Sequence, residues 1–311
     1  MKRVISLFLA LMLCVGAFAA CKSEDEQPEN TPEQPEEQPE QTPDTPDTTE
    51  KEPEEETKEE PQKVFVPMTQ ESMSAQFTSA VAELSDGTTM PYRLYVPKDY
   101  DAKKTYPLLV VLHGAGERGK DNEAQLKHAL LQMFNVENSP VRDAIVLAPQ
   151  CPEGQQWVDT PWASGNYSTA KVKESNELAG VMEIIDELWY EYTIDDDRIY
   201  AMGLSMGGFG TWDLLSRHSD VFAAGVPICG GGDPEMAEVL VDVPIKTFHG
   251  SADTSVPVAG TREMAEALEN AGSEVFTYEE FEGQGHGIWN TVAARADVIN
   301  WLFEQSLADR K

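Results

Sequence analysis

Apolar positions fall into two patterns along this chain. Residues 107–112, 144–148, 199–202, 222–228 and 243–248 are short continuous apolar runs, the pattern of strands buried on both faces. Between and after them, residues 122–134, 172–192, 206–217, 257–271 and 290–307 repeat their apolar positions with helical period. Strand and helix alternate, which predicts an α/β fold: a mostly parallel sheet with helices on both faces. Ahead of this, residues 76–84 and 90–96 alternate like strands around Ser85-Asp86-Gly87, predicting an antiparallel pair at a sheet edge. Residues 274–281 supply a last strand. Residues 64–311 therefore read as one domain.

The first 63 residues have neither pattern. Lys2 and Arg3 precede an apolar stretch that ends in small residues before Cys21, so residues 1–20 read as an export signal. Residues 22–63 contain no aliphatic or aromatic side chain beyond proline, and carry eight prolines and seventeen acidic residues against four lysines. Such a segment has nothing to bury, and its self-repulsion favours an extended, disordered tether. The signal resembles that of bacterial lipoproteins, with Phe18 where a leucine is usual. That resemblance implies a lipid on Cys21, an outer-face location, and membrane contact through that lipid alone. Cleavage after Ala17-Phe18-Ala19 is the alternative, and leaves a freely secreted protein.

The formal net charge of −32 disfavours nucleic acid as a partner, because the field repels phosphate backbones and no basic stripe offsets it. The sequence contains no paired CxxC, HExxH or phosphate-loop lysine, so no metal or cofactor is expected.

Candidate chemistry collects where the predicted strands end. Residues 107–112 lead into His113-Gly-Ala-Gly-Glu-Arg-Gly119, and residues 243–248 into His249-Gly-Ser-Ala-Asp253. The strand at 199–202 runs into Gly203-Leu-Ser-Met-Gly-Gly208, and the last strand into Glu282-Gly-Gln-Gly-His286. Open α/β sheets bind ligands at these carboxyl ends. Gly203, Ser205 and Gly207 have the spacing of a nucleophile elbow, a turn too tight for side chains beside the serine.

Taken together, these motifs resemble the α/β-hydrolases, in particular the secreted serine esterase and predicted-peptidase branch that includes feruloyl, acetyl-xylan and small carboxylesterases. The likeness covers roughly residues 76–307. It implies Ser205 as nucleophile, His286 as general base and Asp253 as the acid that orients it, in the usual order of nucleophile, acid, histidine. It also implies backbone N–H groups of Ala115 and Met206 as the oxyanion donors. Asp233, after the preceding strand, is the rival acid. His113 and His249 read as loop braces, and His128 and His218 as helical surface residues. Glu117, Arg118 and Asn122 read as braces of the oxyanion loop.

The long loop after residue 148 is aromatic, and Trp157, Trp162 and Tyr167, with Trp289 after His286, are candidates for the wall of a substrate pocket. Their packing on the domain's own surface is the competing reading. Cys151 and Cys229 lie on strands separated by two others in a hydrolase sheet, too far apart for a disulfide, so both are expected as free buried thiols. Three functions remain open at this level: an esterase for small or carbohydrate-linked acyl esters, a peptidase for short peptides, and a non-catalytic surface binding module of hydrolase ancestry.

Overall fold

The structure, a computed structural model, describes residues 65–310. The signal, Cys21 and the tether lie outside the described residues. Eight strands form one sheet: β1 (Thr78–Glu83), β2 (Thr89–Tyr95), β3 (Tyr106–Leu112), β4 (Ile145–Pro149), β5 (Ile194–Leu204), β6 (Ala224–Ile228), β7 (Ile245–Gly250) and β8 (Phe276–Phe281). Their order is β1-β2-β4-β3-β5-β6-β7-β8. The β1–β2 and β2–β4 pairings are antiparallel and all later ones parallel, so the sheet is mostly parallel with an antiparallel edge. This is the α/β-hydrolase fold.

The continuous apolar runs are explained by what covers each face. Leu108, Val110 and Leu112 of β3 point into one core, and Leu109 and Val111 into the other. The helices are α1 (Gln70–Ser74), α2 (Ala129–Phe134), α3 (Asn176–Glu191), α4 (Met206–Arg217), α5 (Ala237–Leu240), α6 (Val258–Asn270), α7 (Trp289–Ala293) and α8 (Ala296–Glu304). The first core packs side chains of α3, α4, α5 and α6, and the second those of α1, α2, α7 and α8. Side chains that alternate across a strand thus meet helices on both sides, and neither face needs polar residues.

Two predicted helices are interrupted. The stretch from 122 to 134 becomes a 3-10 turn at Ala124–Leu126 and then α2, because Asn122 and His128 both adopt positive φ, 52° and 57°. Asn122 is held there by its own amide. Nδ2 donates to Ser79 Oγ, Ala80 O and Tyr92 O at 2.9, 2.9 and 3.0 Å, a tertiary tie to the first hairpin that outweighs helix propensity. The last predicted helix divides into α7 and α8, with the extended Arg295 between them reaching Glu279 and Asp297.

Cys151 and Cys229 are free and buried, and they follow the ends of β4 and β6, which β3 and β5 separate. Burial pushes both thiols up, Cys229 to about 12, so neither is a thiolate at neutral pH.

Candidate active site

The elbow is a strained turn. Between the end of β5 and the start of α4, Ser205 adopts φ 54° and ψ −117°, a region that side chains other than glycine seldom occupy. Its N–H donates to Ile228 O at 2.8 Å, which pins the turn to β6. The flanking glycines are required by space. A Cβ on Gly203 would lie 2.2 Å from Gly207 O, and one on Gly207 would lie 2.0 Å from Leu112 O. Because both obstacles are backbone atoms, Gly207→Ala is expected to cost about 3 kcal/mol or more. In a domain of this size that lowers the melting temperature by roughly 6–12 °C; an unchanged thermal melt would contradict this reading of the turn.

Ser205, His286 and Asp253 come together from the ends of three strands. Ser205 Oγ lies 2.7 Å from His286 Nε2, and His286 Nδ1 lies 2.6 Å from Asp253 Oδ2. The other carboxylate oxygen, Oδ1, accepts the N–H groups of Ser255 and Val256 at 2.8 and 3.0 Å. Burial pushes the Asp253 carboxyl up, but these backbone donors and His286 outweigh it and hold the group below its ordinary value. It is therefore an anion at neutral pH, beside the ring nitrogen where a positive charge would form. Asp233 is engaged elsewhere: it accepts from Thr169 N–H and Oγ–H at 2.6 and 2.7 Å and caps the turn at Pro234–Met236.

A second histidine touches Asp253. His249 Nε2 lies 3.1 Å from both Asp253 Oδ2 and Val256 O, two acceptors, so it carries the proton, while Nδ1 lies 2.7 Å from Thr261 Oγ1, which is also 3.0 Å from Gly230 O. His249 is thus a brace, as its place in the sequence suggests, and the group it braces is the catalytic-acid candidate. Donor atoms of Cys229, His249 and Asp253 lie within 4.8 Å of one another. The protonated thiol and the hydrogen bonds already made by the other two leave them poor metal ligands.

The loop expected to hold the oxyanion follows β3. His113 Nε2 accepts the N–H of Cys151 at 2.9 Å, so Nδ1 bears the proton and donates to Gly114 O at 2.6 Å. In a trans peptide the C=O and N–H point opposite ways, so fixing Gly114 O toward His113 turns the N–H of Ala115 away from it. Arg118 Nε donates to Ala115 O at 2.9 Å, and the Glu117 carboxylate accepts from the Gly114 backbone, so both brace the loop. Asn122 and Gln150 tie its far end to β2 and β4. The N–H groups of Ala115 and Met206 have no acceptor among the described residues.

Burial holds His113 and His249 neutral, with His113 pushed down to about 4. The unfolded chain binds these protons near 6.5 and the folded chain does not, so stability present above pH 6.5 is lost as pH falls toward 4. For His113 the loss between pH 7.5 and 5 is about 2 kcal/mol, with His249 adding in the same direction. Urea midpoints measured at pH 7.5, 6 and 5 check this, and a flat profile contradicts it.

A cleft of about 310 Å³ opens over Ser205 and His286, lined by the oxyanion loop together with Trp162, Trp289, Glu117, His128, Leu204, Ser255 and Val256. Of the four aromatic residues expected in its wall, Trp162 and Trp289 are there, and the other two are corrected. Trp157 is fully buried, and its indole N–H donates to His113 O at 3.0 Å. Tyr167 is buried with its hydroxyl donating to Asp213 at 2.7 Å, and burial pushes its pKa well up. The loop folds back on α4, so its aromatic residues divide between core and cleft. His128 is also corrected: it sits at the junction before α2 and lines the cleft, where its Nε2 lies 3.2 Å from Glu117 Oε1. His218, at the end of α4, pairs with Glu174 at 2.6 Å.

The profile of the phospholipase/carboxylesterase family matches residues 99–299. A solved structure described as a thermostable esterase superposes with a TM-score of 0.66 at 36% identity, covering 75% of this chain and 64% of that one. Feruloyl esterase B of Thermothelomyces thermophilus is 26% identical over 151 residues, 48% of this chain and 47% of its own length. Dipeptidyl-peptidase 5 of Porphyromonas gingivalis is 28% identical over 156 residues, 49% of this chain and 21% of that one. The chain spans about half the length of these two curated relatives, or less. On the extent of the family match and the sheet order, the chain belongs to the phospholipase/carboxylesterase family of α/β-hydrolases.

Proposed function

We propose that the protein is a serine hydrolase of carboxylic esters with small or carbohydrate-linked acyl groups. The observation that carries this reading is the unbroken hydrogen-bonded series Ser205–His286–Asp253 beside two unengaged backbone donors. His286 takes the Ser205 proton as Oγ attacks the ester carbonyl, and Asp253 stabilises the imidazolium that forms. The N–H groups of Ala115 and Met206 receive the oxyanion, each contributing about 10² to 10³ in rate. Collapse expels the alcohol, which takes the proton from His286, and leaves an acyl group on Ser205. Water activated by the same histidine then releases the acid.

A peptidase for short peptides uses identical machinery, and the likeness to dipeptidyl-peptidase 5 supports it as the second reading. Acetyl, feruloyl and peptide p-nitroanilide substrates, tested on the protein from residue 64 onward, separate the two. Higher kcat/KM on esters is expected, and faster peptide turnover reverses the order. Export with a lipid on Cys21 belongs to the same proposal, supported by the basic, apolar and small-residue sequence of residues 1–20. Metabolic labelling with a palmitate analogue, lost on Cys21→Ser, tests it.

A further inference from the structure

His128 stands out among the cleft residues. Its backbone adopts φ 57° and ψ −125°, nearly the angles of Ser205, and its side chain is 39% exposed in the cleft wall. Strain of this kind in a non-glycine residue persists where the surroundings or the function demand that side chain. Two contacts fix the ring, and a third ties its neighbour to His286. Nε2 faces the Glu117 carboxylate at 3.2 Å, the ring meets Trp289 edge-on at 6.2 Å, and Trp289 in turn meets His286 edge-on at 5.1 Å. An ionised carboxylate only accepts, so in the neutral imidazole the proton that faces Glu117 sits on Nε2, and Nδ1 is the nitrogen that carries the lone pair. Nδ1 has no partner among the described residues.

Of the other polar side chains that line the cleft, Ser205 and His286 bond each other, Glu117 is held by His128 and the Gly114 backbone, and Ser255 contributes a hydroxyl. Trp162, Leu204 and Val256 make the rest of the wall apolar. A cleft with two indole rings and an imidazole nitrogen oriented to accept suits a ring that bears a hydroxyl group.

We propose that His128, oriented by Glu117 and backed by Trp289, is a subsite that reads a hydroxyl on a ring of the ester substrate. The shared chemistry is that of a phenolic acyl group and of a sugar alcohol. This rests on the ester-hydrolase reading above. The substrate hydroxyl donates to Nδ1, while Trp289 places the ring alongside His286.

Matched pairs test it, with methyl 4-hydroxycinnamate against methyl cinnamate for the phenolic source, and an acetylated methyl xyloside against its O-methylated counterpart for the sugar. The hydroxylated member of at least one pair is expected to be favoured at least about tenfold in kcat/KM, and the pair that discriminates names the source. His128→Phe and His128→Gly should each bring that ratio to near one. Glycine also tolerates the strained angles, so His128→Gly should melt at the wild-type temperature or above. A wild-type ratio near one in both pairs overturns the subsite alone, as does a ratio that survives both variants. A ratio lost only together with a fall in melting temperature in both variants assigns His128 to loop support and overturns it too. A protein that hydrolyses none of these esters nor p-nitrophenyl acetate overturns the ester reading, and the subsite with it.

Discussion

Replacing Ser205 with alanine is expected to cut turnover of p-nitrophenyl acetate by roughly 10⁴ to 10⁶ and to leave the thermal melt close to wild type. Among the described residues Oγ hydrogen-bonds His286 alone, and the strained backbone is held by Ile228 O and the flanking glycines rather than by the hydroxyl. Removing the hydroxyl therefore deletes the nucleophile without releasing the turn. The oxyanion donors stay in place, so a residual rate above that of water is expected. A fluorophosphonate probe should label the wild-type protein and fail to label the variant. A folded wild-type protein that takes no label would instead favour a non-catalytic binding module.

Asp253→Asn carries the second large effect, about 10⁴ in kcat by analogy with other serine triads. The carboxylate is surrounded by four donors, the N–H groups of Ser255 and Val256 on Oδ1 and the ring nitrogens of His286 and His249 on Oδ2. Asparagine can satisfy only one side. With its oxygen toward the backbone, its NH₂ faces His286 Nδ1, which must then become an acceptor and move its proton to Nε2. That nitrogen faces Ser205 and can no longer take a proton from it. The same swap leaves the His249 proton opposed by a donor, a buried conflict that costs about 1–3 kcal/mol of stability. Kinetics and a urea melt on one preparation read both losses, and a variant within tenfold of wild-type kcat would remove Asp253 from the mechanism.

How legible the site was depended on what fixes each residue. The elbow, the two histidine-glycine corners and the final glycine-rich turn announce themselves, because apolar runs mark strands and polar, glycine-rich residues at their ends mark the site. Trp157 and Trp162 could not be told apart. Both are tryptophans in one loop, and burial is decided by where the loop folds back, through Ser175 onto Trp157 O and Thr169 onto Asp233. His128 was hidden for another reason: its segment has helical apolar spacing, and the positive φ of Asn122, tied to the first hairpin, and of His128 itself breaks that helix. The role of His249 beside Asp253 was half visible, since its position after β7 suggests a brace while its partner depends on the turn through residue 256.

The guanidinium of Arg118 joins two parts of the cleft that the sequence keeps far apart. It donates to Ala115 O and to Gln155 O at 2.9 and 3.0 Å, and lies 5.5 Å from the centre of the Trp162 ring. The Trp162 wall of the cleft and the peptide proposed to receive the oxyanion are therefore braced by the same cation. On the proposed mechanism, selectivity and rate are mechanically linked: reshaping the cleft at Trp162 to admit a larger acyl group removes one support of Arg118, so a broader substrate range is expected to come with a less exact oxyanion site.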